Sequence, residues 1–343
     1  MKCAYCYIHE ADKKNTHYLT DAIIRSCLNE NGESSREKGF MFNVSNNNPF
    51  IDFKFQRSTN TTSIIKALGR EPSEEEIEKA KQNSFSVDNV FCSNCEKKFT
   101  EIENKFINET LPKLRGKDFS FIQKIHFNET ISIRRFFLLQ VFRTSICNNL
   151  IKVSKEFREV IRDVLIESKS EEIKSIPLFV TYLNTLGDKI EFTKNVVGFG
   201  NIEGNGVIFL NDFIIQFFQD EKSIQYIDLY GLNSRTDFEN YINFKEQNFL
   251  IKIVSNVDRN TFSETYFKTE KAKSLLESYR GMFRSAHVEF LHSTPSEQIV
   301  ESFIKELVND KNCTEETRYS SDNIAKCMLD FFIEKLNFRI PNS

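Results

Sequence analysis

The sequence predicts an α+β protein in which a small thiol-rich N-terminal unit precedes a larger mixed domain with an antiparallel sheet. Three observations carry this. Two CxxC pairs, KCAYC (2–6) and FCSNC (91–95), bracket the first third of the chain. Residues 176–255 hold short β-rich runs, PLFVTYL, KIEFTKNVVGFG, GVIFL, DFIIQFF, IQYIDLY and NFLIKIV, punctuated by Gly and Asn. Helical patterns lie on either side of that stretch. ISIRRFFLLQVFRTSICNNLIK (131–152) and EFREVIRDVLIES (156–168) precede it, and TEKAKSLLESYR, SEQIVESFIKEL and NIAKCMLDFFIEKL follow it.

In the first third, LTDAIIRSCL (19–28) reads as a short helix capped by Thr20 or Asp21. GFMFNV (39–44) and PFIDFKF (49–55) alternate as strands do, and EPSEEEIEKAKQ (71–82) is a solvated helix with Pro in its first turn. The stretch SFSVDNVFC enters the second CxxC as a strand, and a helix follows from about Cys95 to Thr110. LRGKDFSF (114–121) reads as a linker. The division expected is 1–116 and 120–343.

With 343 residues the chain can bury substantial cores. A formal net charge of −3 excludes a protein that coats nucleic acid with uniform positive charge, so any such contact must be a local patch. There is no apolar run near the length that spans a bilayer, and the first CxxC lies where the segments of a secretory signal would have to be. A cytoplasmic protein without a membrane partner is therefore expected. In a reducing compartment eight cysteines do not make a disulfide framework, which leaves metal binding as the reason to cluster thiols. Cys3, Cys6, Cys92 and Cys95 can close a tetrahedral zinc site, each CxxC knuckle placing two sulfurs on one ion. His9, three residues after Cys6, could replace one sulfur. Cys27, Cys147, Cys313 and Cys327 are isolated and read as small apolar side chains.

What lies between and after the knuckles narrows the reading. Thr16-His17-Tyr18-Leu19-Thr20 follows the first pair, and Cys92-Ser93-Asn94-Cys95-Glu96 runs into a helix. This order resembles the zinc-containing HNH (ββα-metal) endonucleases, in the branch with S-H-I-I-P at the first motif and C-x-x-C-E at the second. The resemblance covers roughly residues 1–110. It implies a zinc-stabilised ββα-metal domain hydrolysing phosphodiester bonds of DNA, with His17 as general base and Asn89 bracing the loop. It also implies Glu96 as ligand of a catalytic Mg²⁺ or Mn²⁺, with Glu103 as a further acid that supports or ligates. The sequence departs from the family at Thr16, where an acid often stands, at Thr20 in place of Pro, and in the long insert between the knuckles.

The remaining two thirds carry no nucleotide-binding glycine pattern. GFGNIEGNG (198–206) lies between two strands and has no helix after it, so a β-turn is expected. Arg134, Arg135 and Arg143, and Lys271, Lys273, Arg280 and Arg284, are candidate phosphate contacts against a default of buried stripe or solvated helix face. A nuclease of this kind joined to a large domain without a recognisable DNA-binding motif suggests the effector of a prokaryotic anti-phage defence system. It would be activated by a protein partner such as a short Argonaute or an ATPase. The alternative is a catalytically inactive zinc module that binds nucleic acid or protein within a larger complex.

Overall fold

The structure is a computed structural model that describes residues 1–26, 40–43, 53–55, 61–81, 85–119, 121–167, 170–184, 195–202, 205–229, 232–265, 272–314 and 317–338. Cys27 and Lys271 lie outside these.

The elements in chain order are β1 (Thr16–His17), α1 (Asp21–Ser26), β2 (Phe40–Asn43), β3 (Phe53–Phe55), α2 (Thr61–Leu68), α3 (Glu74–Lys81), β4 (Ser86–Val87) and α4 (Ser93–Lys105). One π turn, Phe106–Thr110, and a 3₁₀ turn, Leu111–Lys113, extend α4. Then come β5 (Lys124–Phe127), α5 (Thr130–Cys147), α6 (Lys155–Glu167), α7 (Ser170–Lys174), β6 (Leu178–Leu183), β7 (Asn195–Ile202), β8 (Asn205–Leu210) and β9 (Phe213–Phe217). The chain continues with α8 (Arg235–Tyr241), β10 (Phe249–Val254), α9 (Asn256–Thr265), α10 (Ala272–Leu291), α11 (Glu297–Asn309) and α12 (Ser321–Leu336).

The mixed α+β class expected from the sequence is observed. The large sheet has eight strands in the order β3-β2-β7-β8-β9-β6-β10-β5. It is mixed rather than antiparallel throughout, because β2 runs parallel to β7 and β6 parallel to β10. Residues 198–202 and 205–206 of the glycine-rich run lie in the antiparallel β7–β8 pair, and the two residues between them lie outside the described ones. Residues 224–229 of IQYIDLY do not form a strand, and Tyr230 lies outside the described residues. Ile227 and Leu229 are buried, but the backbone there bonds to a side chain and not to a ladder. Asn233 accepts from Leu229 N and donates to Ile227 O.

Both faces of the sheet are covered, and the period-2 alternation shows how. Leu178, Val180 and Tyr182, with Phe213, Ile215 and Phe217, enter one core. Phe179 and Leu183, with Ile214 and Phe218, enter a second one under α8. A third core joins α10, α11 and α12.

Helix α5 is central to the first core. Phe136, Phe137, Leu138, Leu139, Val141 and Phe142 are all fully buried, so the helix is covered on every side. Phe106 at the end of α4 stacks on Phe136 with ring centroids 3.8 Å apart. One continuous core thus runs from the first knuckle to the sheet, across the boundary expected near 116–120. The start of the expected linker is packed as well. Leu114 is fully buried, and Arg115 donates to both Asp212 oxygens, at 2.7 and 2.9 Å, and to Ile23 O of α1.

Gly206 in β8 stands opposite Phe217 in β9, and a Cβ there would lie 2.2 Å from Phe217 Cζ. The ring fills the space a side chain would need. Gly206→Ala is expected to destabilise the protein by about 1–3 kcal/mol, through displacement of a buried aromatic. Urea unfolding checks this; an unchanged midpoint would show that the ring can move freely.

Candidate metal centre and the acidic pair beside it

The two knuckles are brought together by backbone bonds before any ion is considered. Tyr7 N donates to Cys3 O at 3.0 Å and Cys3 N to His9 O at 2.9 Å, which closes the first knuckle. Ala4 N donates to Val90 O at 3.0 Å, and Cys92 N to Cys3 Sγ at 3.3 Å, which tie it to the second. From the second knuckle the chain enters α4, whose N-terminal backbone is capped from outside. Asp12 accepts from Ser93 N at 2.8 Å. Residues 16–17 and 86–87 form an antiparallel pair, Thr16 opposite Val87 and His17 opposite Ser86. The apolar base of the unit is aromatic. Tyr5 meets Phe99 edge-on at 4.8 Å, and Phe91 meets the same ring at 5.3 Å.

The ligand atoms of Cys3, Cys6, Cys92 and Cys95 all lie within 4.8 Å of one another. Cys3, Cys92 and Cys95 are buried and Cys6 is half-buried. Such a donor set fits a metal ion such as zinc. Its electrostatics argue the same way. Burial pushes the Cys95 thiol far above its ordinary value and raises that of Cys92. Cys6 also loses solvation by burial, but hydrogen bonds from the backbone of His9 and Ile8 and from the His9 ring outweigh it and bring Cys6 down to about 5. Four thiolates cannot share so small a volume without a cation to offset their charge.

The first knuckle is also held from outside the unit. Arg162 of α6 donates to Tyr5 O at 2.7 Å and lies over the Tyr7 ring, 4.5 Å from its centroid. Tyr7 O–H donates to Glu159 at 2.5 Å.

His17 is half-buried, with its Nδ1 3.9 Å from Asp21 Oδ1. Asn89 is exposed and adopts φ +59°, a left-handed backbone that Asn tolerates better than most residues. Its backbone N–H donates to Lys13 O at 2.8 Å, so the residue shapes the loop leading into the second knuckle.

Glu96 and Glu103 are brought together, but around an arginine. Arg143 of α5, only 2 % exposed, lies 3.1 Å from Glu103 Oε1 and 3.7 Å from Glu96 Oε2. Glu103 Oε1 also accepts from Thr20 Oγ1 at 2.7 Å. Gln140 of α5 completes the group by accepting from Thr20 N and donating to Thr20 Oγ1. Burial raises the Glu96 carboxyl above the usual carboxylate range, Arg143 opposes this and Glu103 adds to it. Glu96 Oε1 is buried and accepts no hydrogen bond. Among the described residues the four cysteines are the only group of three or more His, Cys, Asp or Glu close enough to hold an ion. Glu103 is thus engaged by Thr20 and Arg143 and does not join Glu96 in such a group.

The basic candidates farther along the chain are mostly occupied. Arg134 is fully buried, paired with Glu246 and donating to Ile173 O and Ile176 O, and so presents no guanidinium to a phosphate. Arg135 donates to Leu165 O at 2.7 Å. Arg280 pairs with Glu277 and Glu301, and Arg284 with Glu297. Lys273 is exposed on α10. For Arg134 and Arg284 the sequence showed a cation, but the acid paired with it lies well along the chain.

Sequence reasoning missed Gln140 at this place, and it read Arg143 as a candidate phosphate contact where the structure pairs it with Glu103 and Glu96. The signal was present: two polar side chains three apart, one within and one ending the apolar run that starts at Phe136. Comparison with protein-family models, curated proteins and solved structures finds no match for the chain.

Arg143→Ala would leave two half-buried carboxylates facing each other. Its expected cost is about 3–5 kcal/mol of stability, with Arg143→Lys intermediate. A loss below about 1 kcal/mol in denaturant unfolding would show that Arg143 is not the joint between α4 and α5. Chelation at neutral pH is expected to lower the thermal midpoint markedly, because an ion held by these cysteines would tie segments 86 residues apart in sequence. An unchanged melting curve after verified metal removal would mean that the backbone bonds suffice.

Proposed function

We propose that the chain is a metal-dependent endonuclease of the HNH type that hydrolyses phosphodiester bonds of DNA. The observation that supports it best is a spatial order: knuckle, β1 with His17, β4, knuckle, α4, the strand pair and helix fastened by four thiols. In this reading β1, β4 and α4 form a zinc-stabilised ββα unit. His17, on a strand and partly open to solvent, takes the proton of the attacking water. Asn89 sets the loop beside it. A catalytic Mg²⁺ or Mn²⁺ would supply charge stabilisation at the scissile phosphate. Glu96 Oε1, which accepts no hydrogen bond, is the donor available to such an ion, and Glu103 serves by holding Arg143 and Thr20.

The large sheet and the helices around it act as the regulatory and partner-binding part. The proposed setting is an anti-phage effector, commanded by a partner such as a short Argonaute or an ATPase. Its support is the continuous core, through which α5 connects the sheet directly to Glu96 and Glu103.

A second reading has its own observation. The Arg143 guanidinium already offers a cation to both carboxylates. That favours an inactive zinc module that binds nucleic acid or protein within a larger complex.

The test is cleavage of plasmid, linear and single-stranded DNA by wild type, His17→Ala and Glu96→Gln, each with Mg²⁺ or Mn²⁺. Nuclease function predicts cleavage by wild type and a loss of about 100-fold or more in His17→Ala with zinc retained. DNA binding without cleavage under any metal would establish the second reading.

A further inference from the structure

The four sulfurs do not exhaust the donors around this candidate metal site. His9 Nδ1 lies 3.5 Å from Cys6 Sγ and 4.0 Å from Cys92 Sγ, and those two sulfurs are 3.9 Å apart. Adjacent sulfur and nitrogen ligands of one tetrahedral zinc are about 3.6 Å apart, given Zn–S near 2.3 Å and Zn–N near 2.1 Å. His9 therefore stands about as far from Cys6 and Cys92 as a neighbouring ligand would. It caps that edge of the site from the solvent side. It is not one of the four atoms that cluster within 4.8 Å.

Cys6 is the exposed corner of the site, whereas Cys3 is fully buried and Cys92 and Cys95 are each 3 % exposed. A reagent arriving from solvent thus meets Cys6 first, with His9 beside it. The loop between them is held in place. Tyr7 sits at φ +59°, unusual for a bulky residue, and is kept there by Arg162 and Glu159. Lys2 Nζ donates to Ile8 O at 2.7 Å, and His9 O accepts from Cys3 N. The imidazole is delivered to the edge of the site by a fixed backbone and does not arrive there by chance.

We propose that His9 is a reserve ligand: it hydrogen-bonds the Cys6 thiolate in the four-sulfur state and takes its place on the metal when Cys6 is lost or blocked. The resulting site has three sulfurs and one nitrogen, a donor set as suited to zinc as four sulfurs. The unit would then keep its ion, and with it the β1–α4 geometry, after chemical damage to its exposed corner. This holds whether or not the chain cuts DNA.

Zinc content and Co²⁺ absorption test it on the full chain, in wild type, Cys6→Ser, His9→Ala and Cys6→Ser/His9→Ala. Cys6→Ser is expected to keep one zinc per chain, and its Co²⁺ bands to move to shorter wavelength as nitrogen replaces sulfur. The double variant is expected to bind zinc at least about 10-fold more weakly than Cys6→Ser, while His9→Ala alone keeps full stoichiometry. Equal affinities for Cys6→Ser and the double variant would overturn the proposal. Should Cys6→Ser fail to fold, folded wild type and His9→Ala can be alkylated at Cys6 with iodoacetamide and weighed under native conditions. Zinc retained by wild type and released by His9→Ala supports the reserve ligand; equal retention or equal loss contradicts it.

Discussion

Four thiol groups within 4.8 Å of one another, three of them buried, are the constraint on which the N-terminal half depends. Left as thiols they are four poor hydrogen-bonding groups in a site that burial makes hostile to charge. As thiolates they repel. A divalent ion resolves both problems, and in doing so joins residues 3 and 6 to 92 and 95. The two-residue strands β1 and β4 are too short to hold each other. They are placed by the knuckles on either side, and His17 and Asn89 inherit their positions from that closure.

The second organising element is α5. A helix buried on so many sides has little solvent face on which to carry charges, so the long polar side chains it keeps inside the core need partners. Gln140 finds Thr20, Arg143 finds Glu103 and Glu96, and Arg134 finds Glu246. These pairs join the metal-tied unit to the sheet without a break. A change in the packing of α5 against β10 or α6 would be felt at the carboxylates of α4. That continuity is the physical basis for reading the large domain as a control element.

Much of this was legible in the sequence. The two CxxC pairs announced the cluster, because the spacing within each knuckle is a local property. The Ser73 hydroxyl and the Glu76 carboxylate cap each other's backbone in the helix expected at 71–82, again a local signal. What stayed hidden was non-local. The parallel pairing of β2 with β7 depends on segments more than 150 residues apart. Arg134 read as a possible phosphate contact because nothing near it in sequence revealed Glu246, and Glu103 read as an acid that supports or ligates an ion because nothing near it revealed its bond to Arg143. IQYIDLY had the alternation of a strand, yet Asn233 diverted its hydrogen bonds.

One ion held by the four sulfurs is what this N-terminal unit requires, and the metal's own X-ray absorption fine structure tests that most directly. Protein purified without added metal, at one zinc per chain, should show four sulfur neighbours at about 2.3 Å and no first-sphere nitrogen or oxygen. A chain without bound metal, or a first sphere made of oxygen and nitrogen, would contradict it, and the placement of His17 and the α4 carboxylates would then need another cause.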